Sequence, residues 1–266
     1  MRAAAFQFDV RRGDVAANLA AVERGLRAAA ADAVELVVLP EMWPTSFVAD
    51  GDEAGWVRES AAAVERVGEL SRELGLVVAG SAFGAGPQGE KPRNRLTVFA
   101  RGERLLAHDK LHLFSPTAED ETFSAGERPP ATVESPLGKL SGCVCYDLRF
   151  AVALRAPFLA GAEILVVPAQ WPAPRASHFA ALVAGRAVEH QAFVVAANRT
   201  GTDVVGRRRL ELVFPGNSRI VGPDGVVLAE GRGSEGLVAA ELDLEVVRRL
   251  RRAVPVRRDE RPEACA

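Results

Sequence analysis

Cysteine is scarce in this 266-residue chain. Three residues are an odd number and too few for a disulfide framework, so free thiols in a reducing compartment are expected, and with them a cytoplasmic location. Long apolar runs are missing: no stretch is long enough to span a bilayer, which excludes a membrane-embedded protein of the helical kind. The segment Met1–Val10 lacks the extended apolar core and cleavage region of a signal peptide. An excess of one charge is missing too. Lys and Arg number 33 against 35 Asp and Glu, a net charge of −2, which gives no global attraction to nucleic acid or anionic lipid. The four histidines, His108, His112, His178 and His190, have no metal-ligand spacing such as His-x-x-x-His, so no metal is expected. There is no short repeat, and no linker divides the chain.

What is present is an ordinary globular balance, 48% hydrophobic and 26% charged, which excludes a largely disordered chain. The length suits one α/β domain over residues 1–266. Strands and helices alternate. Ala3–Phe8 reads as a strand. Asp14 is placed to cap a helix carrying Leu19, Val22 and Leu26 at helical spacing. Glu35–Leu39 is a short buried strand before Pro40. A second helix, with Val64, Val67, Leu70 and Leu74, stops at Gly75. Leu76–Gly80 is again a strand. Residues 95–107 form a hairpin turning at Arg101-Gly102. Phe114–Pro130 reads as a long loop, and such loops are often functional. Lys139–Cys145 is a strand, followed by a helical stretch to Gly161 broken at Pro157. Glu163–Val167 is a strand ended by Pro168. A helix over 177–191 leads into the strand Phe193–Ala197. Gly222-Pro-Asp-Gly225 is a turn between late strands. The Arg-rich tail from Val247 reads as mobile. The hairpins exclude a purely parallel sheet.

Three strand ends carry reactive side chains: Glu41, Lys110 and Cys145. Open α/β sheets bind ligands at the carboxyl ends of their strands, so these groups can converge. Their chemistry is coherent. A thiol with a pKa near ~8.5 is mostly protonated at neutral pH. A carboxylate in reach takes its proton as it attacks. An ammonium stabilises the thiolate and the oxyanion of a tetrahedral intermediate. The N–H of the residue after Cys145, near a helix start, offers a further oxyanion donor. The protonated carboxyl then supplies the proton for an ammonia leaving group. Taken singly, each residue has a plainer reading: a solvated Glu, a solvent-facing Lys, a small buried hydrophobe.

The segment Cys145-Tyr-Asp-Leu-Arg-Phe150 resembles the nucleophile motif of the nitrilase, or carbon–nitrogen hydrolase, superfamily. Pro168-Ala-Gln-Trp-Pro-Ala-Pro-Arg175 followed by His178, Gly185-Arg-Ala-Val-Glu-His-Gln191, Asn198-Arg-Thr-Gly201 and Gly216-Asn-Ser-Arg219 resemble its later motifs. Leu39-Pro-Glu41 and Lys110-Leu-His-Leu-Phe114 resemble its Glu and Lys motifs. The match runs from Met1 to the Arg-Arg-Asp-Glu-Arg-Pro262 segment.

The resemblance implies a four-layer αββα sandwich, with subunits pairing through helices as a homodimer. It implies Glu41 as general base and acid, Lys110 as oxyanion stabiliser, Cys145 as nucleophile and Glu119 as a second active-site Glu. It is nearest to omega-amidases, which act on small 2-oxo acid amides with water and need no cofactor. Deaminated glutathione amidases, N-carbamoyl hydrolases and nitrilases of the superfamily are the alternatives. Gln170 and His190 stand where Asn is common, and Gly185 where Ala is, departures that bear on substrate choice.

Tyr146, Trp171 and Arg175 are the candidate substrate-binding residues. Trp171 follows a strand end, where the wall of a small pocket would lie. Arg175 can hold a carboxylate bidentately, with a structural ion pair as its plainer role. Arg149 and Asp147 read as a structural pair behind the nucleophile turn. Cys143 reads as core and Cys265 as inert. His112 and His178 read as loop-orienting residues. Arg207-Arg-Arg209 and the Arg-rich tail read as solvated surface. A Cys–His hydrolase using Cys145 with His178 or His190 is a different enzyme class. A non-enzymatic interaction module would be marked by a lost triad residue, and none is lost.

Overall fold

Successive strand residues feed two different cores. The computed structural model describes residues 1–261. Ala3 and Ala5 of β1 (Arg2–Gln7) join one buried cluster, and Ala4 and Phe6 join another. Leu36 and Val38 of β2 (Leu36–Val38) part from Val37 in the same way, and Val77 and Ala79 of β3 (Val77–Gly84) part from Val78. Side chains alternate faces along a strand. A strand apolar at every position therefore needs a layer on both sides.

The first sheet has the order β14–β1–β2–β3–β4–β5, with β4 (Arg93–Ala100), β5 (Glu103–Asp109) and β14 (Gly236–Glu241). Its outer face is covered by α1 (Val15–Ala31) and α2 (Glu53–Leu74), through Val22, Leu26, Val67 and Leu70. Each such fully buried side chain contributes about 1.5–3 kcal/mol. Asp14 accepts the Ala17 N–H at 3.0 Å and caps α1, and Gly75, at φ 71°, ends α2, both as the sequence suggests.

The inner face meets a second sheet, β13–β12–β9–β8–β7–β6. Its strands are β6 (Val133–Ser135), β7 (Gly138–Gly142), β8 (Ile164–Ala169), β9 (Phe193–Asn198), β12 (Arg219–Val221) and β13 (Val227–Glu230). Its far side takes Phe179, Val183 and Ala187 of α5 (Ala176–His190), and Val247 of α6 (Leu244–Ala253). The layers are thus αββα. A separate ribbon, β10 (Thr200–Val205) and β11 (Leu210–Pro215), stands apart from both sheets. The short helices are α3 (Glu119–Thr122), α4 (Arg155–Leu159) and α7 (Val256–Asp259).

Strand direction sets the site. β1, β2 and β3 are parallel, as are β7, β8 and β9. β4 reverses and β5 reverses again, so β5 ends at the same edge as β2. The two sheets touch at that edge, where the Glu41 N–H donates to the Ala169 carbonyl at 3.4 Å.

The hairpin turns at Arg101 (φ 51°) and Gly102 (φ 87°), a two-residue turn matched to strand twist. Several expectations are corrected. The strand expected over 139–145 stops at Gly142, because Cys145 has φ 44°, outside any strand conformation. The stretch to Gly161 is three short turns, Cys145–Arg149, Ala151–Leu154 and α4, and Pro157 sits in the first turn of α4, where its missing N–H costs little. The strand of Glu163–Val167 continues through Pro168 to Ala169. The loop 114–130 contains a 3₁₀ turn and α3, and is tied down at Gly126. The Gly126 N–H donates to the Lys110 carbonyl at 2.7 Å, and a Cβ there would meet the Asp109 carbonyl at 2.2 Å. The tail from Val247 is docked, not mobile: Val247 is fully buried, and Arg251 donates to the carbonyls of Gly161, Ala162 and His190. Cys265 and Pro262 lie outside the described residues. Among the described residues, no helix is long and apolar enough to cross a membrane.

Candidate active site

Glu41 leaves the end of β2, Lys110 the end of β5 and Cys145 the end of β7. The fold brings all three together, with Glu119 from α3. The Lys110 ammonium donates to Glu41 Oε1 at 2.9 Å and to the two Glu119 oxygens at 2.9 and 2.7 Å. The second Glu41 oxygen accepts the Gln170 backbone N–H at 3.0 Å, and Glu119 accepts the Phe114 N–H at 2.7 Å. Asn94 Nδ2 donates to both carboxylates, at 2.9 and 3.3 Å. Glu41, Lys110 and Glu119 are at most 3% exposed and Cys145 is 7% exposed, so water screens little of their interaction.

Electrostatics divide the roles. Burial pushes the Glu41 carboxyl above its ordinary 4.5; Lys110 opposes this and Glu119 adds to it. Burial alone would lower Lys110, but the Glu119 and Glu41 carboxylates outweigh it and hold the ammonium charged. Burial, then the charge of Glu41, pushes the Cys145 thiol well above its ordinary 9.0, and Lys110 opposes them. The resting cluster therefore pairs a neutral thiol with a carboxylate that is more basic than one in water. Such a pair can pass a proton from sulfur to oxygen as the sulfur attacks.

These groups floor a small cavity with largely apolar walls, among them Phe47, Phe114, Trp171 and Phe214. Trp171 is a wall residue, as its place after β8 suggests, with its indole N–H on the Arg175 carbonyl at 2.8 Å. Tyr146 and Arg175 also line the cavity. The Arg175 guanidinium lies 5.6 Å from the Phe114 ring centroid and pairs with no carboxylate among the described residues, so its structural ion pair is absent.

The expected Arg149–Asp147 pair does not form. Arg149 faces the cavity, 4.9 Å from the Trp171 centroid and 5.9 Å from that of Tyr146, and its Nη2 is 3.1 Å from His178 Nδ1. Asp147 turns the opposite way, to the chain after Lys110. Successive residues of a tight turn diverge, so sequence proximity is a poor guide to pairing.

Cys143 is buried, its thiol pushed up by burial, and it stays out of the cavity lining. The groups that act on Cys145 are Glu41, Lys110 and the Gln170 backbone, not an imidazole. His178 engages Arg149, and His190, lowered to about 4 by burial, borders a different cavity. Among the described residues no cluster of His, Cys, Asp or Glu is arranged to hold a metal. Sequence reasoning missed Asn94, Arg149 and the pocket walls given by Phe47 and the β10–β11 ribbon. Asn94 lies in the polar start of β4, between Arg93 and Arg95, in the hairpin that leads to Lys110, and nothing in the sequence sets it apart.

The family model described as carbon-nitrogen hydrolase matches residues 2–252. The chain is 31% identical over 251 residues to the 2-oxoglutaramate amidase of Bacillus subtilis (strain 168), covering 94% of this chain and 93% of that protein. It is 30% identical over 226 residues to the omega-amidase YafV of Escherichia coli (strain K12), covering 85% and 84%. Among solved structures, it is similar to a mutant of the amidase from Nesterenkonia sp. AN1. That match has a TM-score of 0.82 and 29% identity, over 97% of this chain and 96% of the other. The active site cysteine of that amidase carries the acetamide moiety of fluoroacetamide by covalent addition.

Proposed function

The chain belongs to the carbon–nitrogen hydrolase family, and from that premise we propose that it is an omega-amidase. It releases ammonia from a small monoamide of a dicarboxylic acid, with 2-oxo acids as the acyl class, through a thioester on Cys145. One observation carries this reading. Two guanidiniums without a carboxylate partner among the described residues, Arg149 and Arg175, line a small apolar cavity whose floor is Glu41, Lys110 and Cys145. A substrate carboxylate supplies the partner they lack.

The steps follow from the charges. Glu41 takes the thiol proton as sulfur bonds to the amide carbon. The oxyanion forms beside the Lys110 ammonium and the Tyr146 N–H, which lies in the first turn after the strand, where no intrahelical carbonyl accepts it. The protonated Glu41 gives its proton to the amide nitrogen, the C–N bond breaks, and ammonia leaves. Water then attacks the thioester as Glu41 takes one of its protons. The C–S bond breaks, the carboxylic acid is released, and the proton returns to sulfur. Glu119, holding Lys110 through both oxygens, keeps the ammonium at its station.

Nitriles begin with the same attack but form a thioimidate and need a second water addition. The test is kcat/KM for three compounds sharing one acyl skeleton: the acid-amide, its carboxylate-neutralised ester-amide, and the acid-nitrile. Charge-assisted hydrogen bonds contribute about 1.5–3 kcal/mol, so the acid-amide is expected to lead the ester-amide by at least about tenfold. It is expected to lead the nitrile as well. Equality within a few-fold with either competitor overturns the substrate class.

The reading extends to a homodimer in the reducing cytoplasm. The thiols of Cys143 and Cys145 are free, which supports the compartment. Val254 and Val256 line a groove with Phe158 of α4 and His190 of α5, and Val152, Leu159 and Val188 of the neighbouring turns and helices are exposed, Val152 to 80%, which supports pairing through these helices. A monomer mass by light scattering at micromolar concentration would remove the dimer.

A further inference from the structure

Lys110 and Cys145 come from different sheets, so no strand ladder sets their separation. A single buried carboxylate joins the two chain segments that carry them. Asp147 is 1% exposed. It accepts the His112 N–H at 2.9 Å and the Leu111 N–H at 3.4 Å, from the two residues that follow Lys110. It also accepts the N–H of Val144, the residue before Cys145, at 3.3 Å. Its Oδ1 lies 2.8 Å from His112 Nδ1, and the His112 ring is stacked at 3.6 Å on Phe150, which closes the same turn. His108 faces the carboxylate from β5 at 4.0 Å, its Nε2 buried without a partner. Between these attachments Cys145 holds φ 44°, a conformation a non-glycine residue keeps only where its surroundings impose it.

We propose that Asp147 is a positioning residue for the reaction of Cys145: it clamps the Lys110 segment to the Cys145 turn and so sets where the ammonium stands relative to the sulfur. The inference rests on Cys145 being the nucleophile of the reading above. Asp147 itself touches neither the cavity nor the thiol. It acts through three backbone N–H groups and one imidazole, all belonging to residues next to, or near, the two reacting side chains.

The test uses Asp147→Asn in the full chain, which keeps the volume but turns one of the two acceptor oxygens into a donor. Displacing a reacting group by about 1 Å costs up to about 10²-fold, so kcat should fall by tenfold or more, with KM within threefold. The second readout needs no amide substrate: the pH midpoint for alkylation of Cys145 by iodoacetamide, followed by mass spectrometry. The charged groups acting on this thiol are Glu41 and Lys110. If the clamp fails, the ammonium leaves the sulfur, the thiolate loses support, and the midpoint moves up. Mere removal of a negative charge would move it down, and local unfolding would speed alkylation at every pH.

His112→Phe keeps the stack on Phe150 and removes only the imidazole contact. It should give smaller shifts in the same directions, and it decides the matter if Asp147→Asn does not fold. Unchanged kcat and midpoint, a downward midpoint, or faster alkylation throughout overturns the proposal. If the wild-type enzyme hydrolyses no amide, the amidase reading falls, and the alkylation midpoint still reports on the clamp.

Discussion

Lys110 and Arg199 are both buried cations, and each contacts two carboxylates, yet their surroundings differ. Lys110 spends its three donors on Glu41 and Glu119 alone. The Arg199 fork reaches Asp203 and Asp9, both at 2.8 Å, the carbonyls of Val10 and Thr200, the Ser46 hydroxyl and the Gln170 side-chain oxygen. The two networks meet at Gln170. Its side-chain amide nitrogen donates to the Glu41 carbonyl at 2.8 Å, and its backbone N–H donates to the Glu41 carboxylate. Arginine stays charged at any working pH, and its planar fork is here saturated with acceptors, so the cation at its centre exchanges no proton. The Lys110 network contains a carboxyl and a thiol, both pushed up by burial, between which a proton can move. The difference teaches how one fold spends buried charge in two ways. A saturated network built on arginine holds the loops. In the proposed mechanism the network between whose members a proton can move does the chemistry.

Substitution can break this contrast. The largest expected effect lies at the thiol: Cys145→Ala abolishes ammonia release, whereas Cys143→Ala, two residues away, and Cys265→Ala leave most of it. Full turnover in purified Cys145→Ala protein would end the thioester mechanism. In the same assay Glu41→Gln and Lys110→Ala each lose at least about 10²-fold in kcat, the scale for a lost base or oxyanion donor. A change confined to KM would make them binding groups instead.

On the other side of Gln170, Arg199→Met is expected to act on stability. Asp203, at 6% side-chain exposure, is left without its cation, and removing one partner of a buried pair costs about 3–5 kcal/mol. Urea unfolding reads this. A midpoint equal to that of wild type would show that the arginine network does not hold the fold.

The smallest effect sharpens the comparison from the catalytic side. In the proposed mechanism Glu41 works as a base in its ionised form, so the rate is expected to fall as pH drops through its folded-state pKa. That pKa is raised by burial, and the acid limb of kcat/KM is expected above the ordinary 4.5. Glu119→Gln removes a like charge that adds to the rise and leaves Lys110 to oppose it, so the limb moves to lower pH. A limb that moves up in Glu119→Gln would contradict this coupling.

How much of this was legible beforehand depends on range. Asp14, Gly75 and the Arg101-Gly102 turn act within a few residues, and each does what local chemistry demands. The docked tail was misread because an arginine-rich helix looks solvated until its partners are known. Arg248 donates to Glu163, and Arg251 to the carbonyls of Gly161, Ala162 and His190, 61 to 90 residues away. Asn94, set between Arg93 and Arg95 at a strand start, has no local signature that marks it for the site.

By itself the sequence determined an alternating α/β chain, and its family motifs implied the αββα layering that the strands, apolar on both faces, then form. It also offered Glu41, Lys110 and Cys145 as candidates at strand ends, and through the family resemblance Glu119. Only the tertiary structure decided that Arg149 turns to the cavity while Asp147 turns to the Lys110 segment. Only it decided that Glu41 and the thiol are both pushed upward. A side chain's direction out of a tight turn is set by the backbone at Cys145 and by partners 35 residues distant at His112. A pKa is set by how much water the whole fold removes. Neither quantity is carried by any short stretch of residues.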